Sequence, residues 1–136
     1  MVHALSEAGR VLRRGGRLLD LRPTMRNRRV ELVFPDATLF IGEIDSSSTF
    51  SDHIAANDAI DRALAAGEFQ LEHRATFQIR TDLDSLADLV EIRSGLRRSV
   101  MPETILTRIT ALIADEPAAA LIRIRREMLI ARYRRQ

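Results

Sequence analysis

A chain of 136 residues that is 46% apolar and 29% charged carries enough of both kinds of side chain to build a domain around a real core, which excludes a disordered chain. It has no cysteine, which excludes disulfides, thiolate metal ligands and thiol redox chemistry and is compatible with a reducing compartment. Its longest apolar runs, such as residues 118–122, are too short to cross a bilayer, and its first residues lack the charged-then-apolar layout of a secretory signal, so a cytoplasmic location is expected.

The net charge of +2 conceals an uneven distribution. Every basic residue is arginine: residues 1–30 hold eight against Glu7 and Asp20, residues 122–136 hold six against Glu127, and the stretch between carries seven arginines and sixteen carboxylates. Ends and centre can therefore attract each other within the fold or between copies. Arginine forks also suit phosphate. Only Tyr133 stands among the terminal arginines to stack on a base, and no nucleic-acid-binding motif accompanies them, so a solvated arginine surface is the expectation.

In chain order, Ala4, Leu5, Ala8, Val11 and Leu12 paint one stripe on a helix over residues 2–13, which Gly15 and Gly16 stop. Residues 17–22 are short, largely apolar and closed by Pro23, as a strand buried in a sheet would be. A basic connector, Arg26 to Arg29, leads to a hairpin of residues 30–34 and 38–44 around Pro35 and Asp36, with Val30, Leu32 and Phe34 on one side. Serines 46–48 form a turn, and Ser51 caps a helix over residues 52–66, with Ile54, Ala55, Ile60, Ala63 and Leu64 inward and Gly67 at its end. Residues 68–80 alternate strictly, so Phe69, Leu71, His73, Ala75, Phe77 and Ile79 are expected on a buried face. Thr81 or Asp82 caps a helix carrying Leu83, Leu86, Leu89 and Val90 that ends at Ser94 and Gly95. Pro102 opens another, with Ile105, Leu106, Ile109, Leu112 and Ile113 inward and Pro117 beyond its end. Periodicity leaves residues 118–135 open between strand and helix. No repeat or linker appears, so one domain over residues 1–136 is expected.

The run from Ala4 to Leu21, with Arg10-Val11-Leu12-Arg13-Arg14-Gly15-Gly16 at its centre, resembles the segment of class I S-adenosylmethionine-dependent methyltransferases in which a helix ends in a glycine pair and feeds the fifth strand of a seven-stranded sheet. Arg14 stands where that family usually has proline. The resemblance is good over about twenty residues and extends beyond them only in element order. It implies an α/β fold equivalent to the C-terminal half of a Rossmann-like sheet: one central strand at residues 17–22, an antiparallel pair at 68–80 and 118–135 with the last strand inserted between the other two, flanking helices, and a lid-like insertion of hairpin and helix over residues 24–67. It thereby favours strand for residues 118–135.

The family's donor-binding elements, a Gly-rich turn, a ribose-binding acid and an adenine-side polar residue, all precede this motif. None of the six glycines, at 9, 15, 16, 42, 67 and 95, forms a Gly-x-Gly cluster after a strand. The expectation is therefore a fragment, split-gene product or remnant, with no cofactor for the isolated chain and S-adenosylmethionine only in an intact relative. Arg22 and Thr24, just past the fifth strand, would face the active-site side and a small-molecule acceptor.

Other candidates come from the residues themselves. Ser51-Asp52-His53 follows a polar loop containing Glu43 and Asp45, and a carboxylate beside a histidine can act as a base; helix capping explains much of the same composition. His73 reads as a hydrogen-bonded core residue. Asp82, Asp84 and Asp88 lack the alternating oxygen-donor loop of a metal site and read as a solvated helix face. Two function classes follow: a substrate-side methyltransferase portion inactive alone, and a non-catalytic interaction module whose open sheet edge pairs with another copy or with a chain supplying the missing N-terminal half.

Overall fold

A computed structural model describes residues 2–115 and 120–136. Met1 and residues 116–119 lie outside it, and with them Pro117 as a helix stop and the expected start of the last segment at Ala118. The described elements are α1 (Val2–Val11), β1 (Arg17–Pro23), β2 (Arg28–Val33), β3 (Thr38–Ile44), a 3-10 turn (Ser47–Thr49), α2 (Phe50–Ala65), β4 (Phe69–Leu83), α3 (Leu86–Gly95), α4 (Glu103–Asp115) and β5 (Leu121–Arg135). The last segment is thus a strand.

The architecture is mixed α/β with a five-stranded antiparallel sheet, ordered β1-β5-β2-β3 with β4 on β5. This antiparallel order differs from the Rossmann order that the resemblance implied. The four-residue connection 34–37 makes β2 and β3 an antiparallel pair, because parallel strands need a crossover of a dozen residues or more. β5 hydrogen-bonds both β1 and β4, the placement expected for the last strand.

The chain packs into two compact units, Met1–Thr24 with Phe50–Phe77 and Met128–Gln136, and Met25–Thr49 with Gln78–Glu127. In the first, Gly15 takes a φ of 77°, which L side chains rarely adopt, and turns the chain out of α1. Its N–H donates to the Arg135 carbonyl at 2.9 Å, and the Arg135 N–H donates to the Gly16 carbonyl at 2.8 Å. The turn is thereby tied to the end of β5, and β1 and β5 pair from Arg17↔Arg134 to Pro23↔Met128. Ile60, Ala63, Phe69, Ala131 and Tyr133 form the core, with Leu5, Leu12, Leu18 and Leu64 packed on it.

α2 buries Ala56, Ala59, Ile60 and Ala63, the i, i+3, i+4, i+7 spacing of one helical face. Ile54, expected inward, is 51% exposed, and Ala55 is exposed too. Ile54 sits two residues from Ala56, about 200° around the helix, and so falls on the opposite side.

The second unit is built on the β2–β3 hairpin. Val30, Leu32, Ile44, Leu89, Ile105, Ile109 and Ile122 are its largest fully buried side chains, each stabilising by about 1.5–3 kcal/mol relative to exposure. α4 packs close on β3: a Cβ at Gly42 would lie 3.0 Å from Ile105 Cγ1, so a side chain there would force the two elements apart.

α3 starts later than expected. β4 continues to Leu83, which is buried, and Ser85 rather than Thr81 or Asp82 is the cap. The Ser85 side chain accepts from the Asp88 N–H while the Asp88 carboxylate accepts from the Ser85 N–H, a reciprocal box that satisfies two otherwise unpaired donors.

The largest departure lies on β4. Its alternating apolar series was expected to be covered, but Leu71, Phe77 and Ile79 are 41%, 40% and 44% exposed and His73 is exposed as well. His73 is therefore not a core histidine. Alternation shows that a strand has an apolar face; only the elements stacked above decide whether that face is dry.

Candidate functional site

β1 carries the residues that the resemblance singled out. The strand sets Leu18, Asp20 and Arg22 on one face by its two-residue period, while Leu19 and Leu21 on the other are 64% and 59% exposed. Arg22 is buried, with its side chain 10% exposed, and finds three acceptors within its unit. Nε donates to Asp20 Oδ2 at 3.0 Å, Nη2 to Asn57 Oδ1 at 2.7 Å, and Nη1 to the His53 carbonyl at 3.4 Å. Arg22 and His53 are thus brought together, His53 through its main chain. A guanidinium engaged on both edges ties β1 to α2, and this internal role explains its burial.

Thr24 follows β1 and is half-buried, and Asp52 is exposed in the first turn of α2. Tyr133, the aromatic among the terminal arginines, is 4% exposed inside the core and offers no stacking surface. Burial pushes its phenol upward, and the Asp20 charge adds to that effect.

Glu43 and Asp45 belong to the second unit and serve its turns. Glu43 is exposed and accepts from Asn27 Nδ2 at 3.2 Å. Asp45 Oδ1 accepts the Ser47 N–H at 2.8 Å, and hydrogen bonds from Ser47 hold its carboxyl below the usual range. The Asp45 main chain forms a two-bond bridge with Val100, both at 2.8 Å. Serines 46–48 make the expected turn, with Ser46 buried, its N–H donating to Asn27 Oδ1 at 2.9 Å and its hydroxyl 3.2 Å from that of Ser99.

Asp82, read as part of a solvated helix face, stands in β4 and takes a two-pronged contact from Arg123, Nε to Oδ1 at 2.6 Å and Nη2 to Oδ2 at 2.8 Å. That guanidinium holds its carboxyl below the usual range. Asp88 is consumed by the capping box. Among the described residues no three His, Asp or Glu side chains gather as metal ligands, and no helix is long and apolar enough to cross a membrane.

The first unit has a cleft of about 320 Å³ lined by Leu5, Ser6, Ala59, Arg62, Ala63, Ala66 and Glu68. Ser6 is its one hydroxyl, and the lining supplies no histidine to activate it. A further exposed feature is the outer edge of β1: among the described strands β1 pairs with β5 alone. Sequence reasoning missed one cluster, the half-buried Arg28 on Ser99 with the half-buried Arg126 charge close enough to act on it. Its signal was the basic run 26–29, whose facing only the strand register reveals.

No protein-family model, curated protein or solved structure matches the chain.

Proposed function

We propose that the chain is methyltransferase-like, corresponds to the substrate-side C-terminal portion of an S-adenosylmethionine-dependent methyltransferase acting in the cytoplasm, and does not transfer a methyl group alone. The observation that carries this reading is the order helix, glycine turn, β1, with β5 antiparallel on one edge of β1 and no described strand on the other. That open edge is where the donor-binding strands of the family would attach. Methyl transfer from a sulfonium depends mainly on in-line positioning of donor and acceptor in a desolvated site. In this reading Arg22 holds β1 against α2 and thereby sets the position of Thr24, which faces the acceptor.

Calorimetric titration of the chain with S-adenosylmethionine is expected to show no binding, and micromolar affinity would overturn the inactive-alone part. The in-frame coding sequence immediately upstream is expected to specify a strand and a Gly-rich turn; a sequence with neither removes the methyltransferase reading.

The open edge also favours a second reading, an interaction module. Unpaired N–H and C=O groups on an edge strand invite pairing with another chain, and Leu19 and Leu21 offer apolar area beside them. Sedimentation at tens of micromolar is then expected to show self-association, and a stable monomer counts against this reading.

A further inference from the structure

We propose that Arg28 and Arg126 form a binding site for a small oxyanion, a phosphate or carboxylate group held between two guanidiniums with the Ser99 hydroxyl beside them. The site lies within the second unit and does not depend on the methyltransferase reading.

The β2–β5 ladder ends at Arg29↔Arg125. One residue further, strand alternation brings Arg28 and Arg126 across from each other on the opposite face. The two faces differ in what they offer an arginine. On the first, Glu31 is buried and lies 2.8 Å from Arg125 Nε and 3.9 Å from Arg29 Nε, while neighbouring Arg123 is taken by Asp82. Three arginines there meet two carboxylates. On the second face, no carboxylate of the described residues lies within ion-pair distance of Arg28 or Arg126.

Among the described residues Arg28 has a single side-chain hydrogen bond, Nη2 to Ser99 Oγ at 2.9 Å, and its buried Nε finds no acceptor. A buried donor without a partner costs about 1–3 kcal/mol, and more when the group is charged. Burial and the adjacent Arg126 charge both act against the Arg28 cation, lowering its pKa from the usual arginine value. The polar floor is already assembled: Ser99 Oγ is 3.2 Å from Ser46 Oγ, and Asn27 holds the Ser46 main chain. Both arginines are half-buried rather than enclosed, which leaves a route for an anion. An oxyanion seated there would supply the missing acceptor for Nε and neutralise two facing like charges, and planar guanidinium forks match phosphate and carboxylate oxygens.

The test titrates the full chain with inorganic phosphate and, separately, with acetate, at ionic strength held constant with chloride, following the backbone amide resonances of residues 28, 99 and 126. Saturable shifts confined to these residues are expected. Stronger binding of phosphate identifies a phosphate site and stronger binding of acetate a carboxylate site; saturation by neither overturns the proposal. Arg126→Gln is expected to weaken the preferred anion by about tenfold, equivalent to about 1.4 kcal/mol. Arg29→Gln, whose guanidinium lies near Glu31, should leave the affinity unchanged. Arg28→Gln serves as the second variant. Equal affinity in wild type and either site variant would overturn the assignment.

Discussion

Leu89→Ala is expected to remove about 2–5 kcal/mol of folding free energy, the range for truncating a fully buried leucine, whereas Val90→Ala is expected to change it by no more than about 0.5 kcal/mol. The two residues are adjacent on α3, yet Leu89 is 0% exposed and Val90 is 47% exposed. Truncating Leu89 removes apolar atoms from a cluster shared with Ile105, Ile109 and Met101 and leaves a cavity that packed neighbours fill only in part. At Val90 little burial is lost, and alanine is the better helix former. Urea denaturation followed by circular dichroism measures both, and equal losses at the two positions would show that α3 packs in a different rotation.

Arg22→Ala is expected to cost about 3 kcal/mol, because it strands a carboxylate that has given up much of its water. Asp20 retains only 17% side-chain exposure, and its partner in the pair is Arg22 at 3.0 Å. Removing both charges in Arg22→Met with Asp20→Leu is expected to recover most of that loss, since the apolar replacement of a buried pair is often neutral or stabilising. A double-mutant cycle by chemical denaturation gives the coupling. Additive losses would mean that Asp20 and Arg22 contribute independently, and that the positioning role of Arg22 rests on Asn57 and the His53 carbonyl alone.

Both expectations turn on facing, which is where sequence and structure part. The glycine stop, the strand after it and the hairpin could be read locally. Gly15 and Gly16 interrupt an amphipathic stripe, Pro23 closes a short apolar run, and Pro35 with Asp36 separates two alternating segments. The start of α3 was misplaced because Leu83 fits the helical stripe as well as it ends the strand, and the reciprocal contact of Ser85 with Asp88 decides between them. Of the candidate residues, Arg22 and His53 do meet, though as donor and main-chain acceptor in an internal anchor. Glu43 and Asp45 are spent on turns. Nothing in their sequence spacing distinguishes a carboxylate that shapes a loop from one that performs chemistry, because the difference lies in which donors the fold brings to it.

What the amino-acid order determined unaided was the kind of element in most segments, since hydrophobic period and turn residues act over a few neighbours. It left residues 118–135 open, and pairing with β1 and β2 makes Leu121–Arg135, within the described part, a strand. Tertiary structure alone decided that the alternating face of β4 stays partly wet and that Arg29 and Arg125 share Glu31, while Arg28 and Arg126 have no acid of the described residues between them. The physical reason is that burial and charge pairing are properties of register between strands roughly ninety residues apart in the chain, and no local pattern encodes that distance.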